Sequence, residues 1–249
     1  MRPPEHPDGG TSNPEACVLA VGAHPDDVEL ACGGLLLLAR ERGVRVVLLD
    51  LTAGEAASAG DPRTRRAEAE RAGEQIGAAT RRCAGLPDGG VTDGEAGRAV
   101  LVEMIRREQP TLLIGPCAED PHPDHRAAAA LVASSWFLAG VGGHRRDLGP
   151  PHRVPRRFEA VVRPGRAADL LLPIDAVWER KLELVRCHAS QLERTSPHRA
   201  DRPSLLEELE LVARAHGARA GTAVAEGFRA PDGWVLGAES SLFGSARPR

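Results

Sequence analysis

The chain has 249 residues, long enough for one large core or two small ones. Its 42% hydrophobic and 27% charged residues are ordinary for a soluble globular protein, and no apolar run reaches the ~18 residues of a membrane span. A net charge of −3, with Lys181 the single lysine among 32 basic residues, leaves no footprint for nucleic acid or an anionic membrane.

Residues 1–15 are rich in Pro, Gly, Ser and Asn, which predicts a disordered tail, too polar for a signal peptide, ahead of a single domain over 16–249. Cys17-Val18-Leu19-Ala20-Val21-Gly22-Ala23 is a short apolar run suited to a buried parallel strand. It stops at His24-Pro25-Asp26-Asp27. An Ala- and Leu-rich helix is expected over 28–42, closed by Gly43 at the position favoured for a left-handed cap, and a second strand over 44–51. Strand, helix and strand in this order make a βαβ unit, hence a parallel sheet. Helices follow at 63–76 and 99–108, a third strand at 111–115, a loop at 116–124 and a helix at 125–138. The Gly-, Pro-, Arg- and His-rich stretch 140–155 reads as a loop and as a candidate for defining the substrate. Strands at 158–163 and 170–174 and helices at 175–191 and 204–216 complete the pattern. The fold class is therefore α/β: a Rossmann-like three-layer arrangement with a mostly parallel sheet and helices on both faces.

Five scattered cysteines, Cys17, Cys32, Cys83, Cys117 and Cys187, form no C-x-x-C pair. They read as small buried hydrophobes in a reducing cytoplasm, not as disulfides or thiolate ligands.

The chemistry concentrates in His24-Pro25-Asp26-Asp27 and His122-Pro123-Asp124-His125. Each sits between a predicted strand and a predicted helix. In an open parallel sheet such loops line the crevice at the carboxyl ends of the strands, where ligands bind. His6-Pro7-Asp8 has no strand before it and shows how little one such tripeptide means alone. Catalytic zinc takes three His or carboxylate ligands and keeps a position open for water. His24, Asp27 and His125 supply such a set, with Asp26 free to take a proton from the water. His122 is placed to stabilise an oxyanion or protonate a leaving amine. Asp124 has two readings, as an acceptor orienting a histidine or as the N-cap of the helix expected at 125. A rival set, His24, Asp26 and His125, matches the two-His-one-carboxylate triad of non-haem Fe(II) oxygenases, and spacing alone leaves the choice between Asp26 and Asp27 open.

These two motifs, with Gly33-Gly34 beyond the first, resemble those of the LmbE-like and GlcNAc-phosphatidylinositol deacetylase (PIG-L) family of zinc-dependent N-deacetylases. The resemblance extends from about residue 17 to about residue 229, through Leu51-Thr52-Ala53-Gly54-Glu55, Arg65-x-x-Glu68, Gly85-Leu86-Pro87-Asp88-Gly89, Trp178-x-x-Lys181, His188-x-Ser190-Gln191 and Ala225-Glu226-Gly227-Phe228-Arg229. It implies His24, Asp27 and His125 as metal ligands, Asp26 as general base, and Arg65 and Asp88 as contacts to the sugar. It also implies Zn²⁺ as cofactor, with Fe²⁺ acceptable to the same ligands, and a small N-acetylated sugar as partner. The expected reaction removes an N-acetyl group from an amino sugar or its glycoside, such as a thiol precursor or a natural-product intermediate. An amidase acting on a larger acyl group of a thiol-sugar conjugate is the alternative, and a homo-oligomer is compatible with the family. The chain has no tyrosine, whereas some relatives place one near the scissile amide, so His122 is left to act alone there.

Overall fold

The computed structural model describes residues 16–57, 59–163, 165–192 and 203–233. The tail expected at 1–15 lies outside them. Among the described residues the strands form one seven-stranded sheet in the order β3-β2-β1-β4-β5-β7-β6. These are β1 (Cys17–Gly22), β2 (Arg45–Asp50), β3 (Thr80–Cys83), β4 (Leu112–Pro116), β5 (Arg157–Val161), β6 (Leu170–Pro173) and β7 (Ala225–Arg229). The pairs from β3 through β5 are parallel, while β7 runs antiparallel to both β5 and β6.

Every residue of β1 is buried, as its uninterrupted apolar run requires of a strand covered on both faces. The period of two then divides the core. Val18 and Ala20 point into one apolar cluster, with α1 (Asp27–Glu41), α5 (Trp178–Arg186) and α7 (Leu205–Ala220). Cys17, Leu19 and Val21 point into the other, with α3 (Glu95–Glu108) and α4 (Pro123–Ala139). β2 alternates in the same way, Val46 and Leu48 against Val47 and Leu49. Burying one such leucine is worth about 1.5–3 kcal/mol, so both faces are strongly specified. α2 (Pro62–Ile76) opens with Pro62 after Asp61, whose side chain accepts the Thr64 N–H, and closes on Gly77 at φ 75°. No helix among the described residues is long and apolar enough to cross a membrane.

Several features depart from the sequence pattern, among them α3, which begins at Glu95, four residues before the expected 99. β3 and β7 were not expected as strands. α4 begins at Pro123, two residues early, because His122 and not Asp124 is the capping residue. The helix expected over 175–191 is broken into a 3₁₀ turn (Asp175–Val177), α5 and a short α6 (Ala189–Leu192). Finally, α1 is interrupted at Cys32 (φ −143°), where Lys181 Nζ donates to Leu30 O and the Glu226 carboxylate accepts the Gly34 and Leu35 N–H groups. The break leaves backbone groups without intrahelical partners, and a buried ion pair at 2.6 Å satisfies them from outside.

The 140–155 loop lies at the end of the sheet opposite the two motifs. α4 starts at the carboxyl end of β4 and carries the chain back to the other end before the loop begins. There His152 Nε2 lies 2.9 Å from Pro110 O, and buried Arg106 donates to the carbonyls of Ala139, Val141, His144, Arg145 and Gly149. The loop is tied to the base of the sheet and does not define the substrate.

Candidate active site

The chain leaves β1 for β2 and β3 on one side and returns through β4 and β5 on the other. The crevice between the carboxyl ends of β1 and β4 is thus the point where strand order reverses. His24-Pro25-Asp26-Asp27 follows β1 and His122-Pro123-Asp124-His125 follows β4, so both motifs open onto one cavity of about 360 Å³. Leu30, Ile114, Val162, Leu205 and Leu209 form part of its wall.

His24, Asp27 and His125 each bring one ligand atom within 4.8 Å of the others. His24 Nδ1 is 3.4 Å from Asp27 Oδ2, and His125 Nε2 is 3.2 Å from Asp27 Oδ1. The opposite ring nitrogens both meet carboxylates. His24 Nε2 lies 3.1 Å from Asp88 and 3.2 Å from Asp124, and His125 Nδ1 lies 3.3 Å from Asp120. A ligating histidine characteristically donates its remote N–H to a carboxylate, which fixes ring and tautomer together. Asp26 is outside this set, and its Oδ1 is held by Arg65 Nη2 at 3.1 Å. In a second cluster, His24, His122 and Asp124 also bring ligand atoms within 4.8 Å of one another. It is chemically poorer: His122 Nδ1 accepts the Asp124 N–H at 3.2 Å, so its other nitrogen carries the proton.

The charges also fit a cation. Burial opposes protonation of His24, yet the Asp27 hydrogen bond and charge override it and raise its pKa to about 9. Burial likewise opposes protonation of His125, but Asp27 and Asp120 raise it to about 10. Asp27 sits well below the carboxylate range: the two histidines outweigh the burial that would raise it. Two imidazolium charges in a nest of carboxylates mark a place where one divalent ion can replace two protons. The donor set, two imidazoles and one carboxylate, suits a divalent metal such as zinc or ferrous iron.

Asp26 shows the opposite behaviour. Burial first and the Asp27 charge second raise it to about 6, with Arg65 offsetting part of the rise. A carboxylate near 6 is matched to taking and returning a proton at neutral pH. Its backbone has φ 142° and ψ −25°, a costly conformation for a residue with a Cβ. His122 is shifted down by burial and by the neighbouring His125 and His24, which keeps it neutral with Nε2–H as a donor. Its ring centroid is 4.9 Å from that of His24 and 4.8 Å from that of His125.

Asp124 also accepts the Gly89 and Val91 N–H groups, which fasten the loop after β3 to the His24 side of the centre. Asp88, expected to contact sugar, faces His24 with Oδ1 while Oδ2 accepts the Ala56 N–H. Arg65 lines the cavity but is 3% exposed, and it donates to Gly54 O, Pro25 O and Asp26. Sequence reasoning missed Asp120, which orients His125 and pairs with Arg163 at 3.2 Å. Its signal was position, an acidic residue two before His122 in the same loop. It also missed Glu29, fully buried between Arg81 and His188.

Known proteins resemble this chain over most of its length. The family described as PIG-L, GlcNAc-PI de-N-acetylase, matches residues 19–136, a span that contains both motifs. The diacetylchitobiose deacetylase of Thermococcus kodakarensis is 31% identical over 235 residues, covering 88% of this chain and 84% of that protein. The solved structure of the conserved protein TT1542 from Thermus thermophilus superposes with a TM-score of 0.79 at 32% identity, covering 90% of this chain and 99% of that one. A 4-oxalmesaconate hydratase of Pseudomonas putida is 25% identical over 199 residues, covering 72% of this chain and 76% of that protein, so related chains include one named for another reaction. With the motifs inside the matched span and the relatives aligned over most of their lengths, the chain belongs to the PIG-L (LmbE-like) family of N-deacetylases.

Proposed function

We propose that the chain, as one domain over 16–249, hydrolyses the N-acetyl group of an amino sugar or its glycoside, releasing acetate and the free amine. The observation that carries this reading is the convergence of His24, Asp27 and His125, each histidine backed by a carboxylate, beside a separate carboxylate with a pKa of about 6. Zinc held by these three residues supplies Lewis acidity, lowering the pKa of water towards ~7 and polarising the acyl oxygen. Ferrous iron suits the same ligands.

Asp26 takes the proton of the attacking water. His122 directs its Nε2–H at the acyl oxygen as negative charge gathers there, a donor worth roughly 3–4 kcal/mol in comparable sites. The proton that Asp26 took from water returns from its carboxyl to the departing nitrogen. Asp88, on the cavity wall, is the candidate contact to sugar hydroxyls. The oxygenase triad is not favoured, because Asp26 faces Arg65 and lies outside the ligand cluster. The apolar wall of Leu30, Ile114, Val162, Leu205 and Leu209 favours a second reading, in which the acyl group is larger than acetyl.

The test is release of acid and amine from a panel of N-acyl glucosamines and their glycosides, with Asp26→Ala as control. Acetate release that Asp26→Ala abolishes, with metal content unchanged, is the expected result. No acid or amine from any member of the panel, with 4-oxalmesaconate hydrated in a parallel assay, would overturn it in favour of hydratase chemistry.

A further inference from the structure

We infer that Arg65 is a positioning residue for the general base: its guanidinium clamps the turn that carries Asp26. This rests on the reading of Asp26 as the base. Nη2 donates at 3.0 Å to Pro25 O and at 3.1 Å to Asp26 Oδ1. One nitrogen thus holds the peptide carbonyl before Asp26 and the Asp26 carboxylate together, fixing both the turn and the direction of the side chain. Nη1 donates at 3.1 Å to Gly54 O, which anchors the guanidinium to the loop after β2.

The turn requires such a hold. With φ 142°, Asp26 occupies backbone space that costs a residue with a Cβ about 1–3 kcal/mol and persists only where the surroundings over-determine it. Its side chain makes no capping bond to α1. The Arg65 contacts are therefore what ties this carboxylate to the frame.

The loop after β2 is shaped around the same group. Gly54 has φ 70°, and a Cβ there would lie 1.9 Å from Arg65 Nη1 and 2.3 Å from its Cζ. No side chain fits between the loop and the guanidinium. Gly54 is thus a second, remote handle on the clamp, with no side chain of its own to touch substrate. Arg65 is placed in turn by Asp61, whose side chain caps α2 and whose carbonyl accepts the Arg65 N–H at 3.0 Å. Three of the five guanidinium N–H groups are taken by the protein, and Nε lies buried without a partner.

The experiment compares Arg65→Ala and Gly54→Ala, both zinc-loaded, for kcat and KM on N-acetylglucosamine or the best glycoside from the panel, with metal per chain by elemental analysis. A carboxylate displaced by an ångström costs on the order of 100-fold. Both variants should lose kcat by about that factor and retain one metal per chain, and Gly54→Ala should keep KM within about threefold. Added guanidinium ion should restore part of the Arg65→Ala rate and none of the Gly54→Ala rate, whose cavity the displaced arginine still fills. A raised KM with kcat intact in Arg65→Ala makes Arg65 a sugar ligand and overturns the proposal. Wild-type kinetics in Gly54→Ala overturn it as well. Should Arg65→Ala not fold, Gly54→Ala and Arg65→Lys decide, the ammonium being unable to bridge Gly54, Pro25 and Asp26 at once. Failure of the underlying reading shows separately, as full activity in Asp26→Ala.

Discussion

Loading zinc into the metal-free protein at pH 7 should release about two protons per ion. Burial works against charge on both histidines, but Asp27 raises His24 to about 9, and Asp27 with Asp120 raises His125 to about 10. At pH 7 both rings are then more than ~98% protonated, whereas a metal accepts only the neutral imidazole. Asp27 lies well below its ordinary value and contributes no proton. Apparent affinity should rise roughly 100-fold per pH unit from about pH 7 to 8.5 and flatten above 10. Calorimetric titration with Zn²⁺ at pH 7, in buffers of different ionisation enthalpy, counts the protons from the slope. Release of less than half a proton per ion would refute the reasoning, since the carboxylates would then not be holding the rings charged. Stability carries the same sign. A histidine whose folded pKa is raised above 6.5 contributes stability fully present below 6.5 and lost as pH rises through the folded value. The denaturation midpoint of the metal-free protein should therefore fall between pH 6.5 and about 10, while the zinc-loaded protein holds steady.

Three further outcomes follow from named contacts. Asp120→Asn removes the charge behind His125 Nδ1 and should weaken zinc binding about 10–100-fold in competition with a chelator, with an unchanged constant refuting the orienting role. His122→Ala should lower kcat on the order of 100-fold with metal content and KM nearly unchanged; loss of zinc instead would make His122 a ligand. Lys181→Met leaves Glu226 buried beside the break in α1 without its cation and should cost about 3–5 kcal/mol in urea denaturation, and a cost below ~1 kcal/mol would remove the ion pair from the account of that break.

The parts of the fold legible in the sequence are those written in local pattern. β1 is a continuous apolar run, β2 is apolar between Arg45 and Asp50 at its ends, and Gly43 after α1 takes the left-handed conformation expected of it. β3 escaped because Thr80-Arg81-Arg82-Cys83 has no apolar face. It pairs with β2 while Arg81 turns inward to the Asp50 carboxylate, a partner that only the assembled sheet supplies. The break in α1 escaped for a similar reason, since its causes, Lys181 and Glu226, lie more than 150 residues along the chain. In the site, residue type and strand-end position were enough to bring His24, Asp27 and His125 into view. Spacing did not separate Asp26 from Asp27, because the separation is made by a turn with positive φ held from α2. Composition misassigns the 140–155 loop to the substrate, although its place follows from topology: a helix that follows a parallel strand returns the chain to the opposite end of the sheet.

The same logic explains why so many charges are buried around one helix. Glu29, one turn beyond Asp26, is fully buried against Arg81, which pairs in turn with Asp50 at 2.8 Å. Taking such groups out of water is expensive, and apolar residues of equal volume often stabilise a core as well or better. Apolar contacts, however, are non-directional, and they leave a helix free to rotate or slide by fractions of an ångström. The first turns of α1 are fixed instead by Arg65 from α2, Arg81 from β3, and Lys181 with Glu226 from α5 and β7. Each anchor reaches α1 from a different element, so no single motion relaxes them all. Asp27, the proposed ligand, and Asp26, the proposed base, point from adjacent positions to different tasks, and the direction of each depends on the rotation of that helix. Stability surrendered to desolvation is thereby converted into placement, which is where a hydrolytic centre needs it.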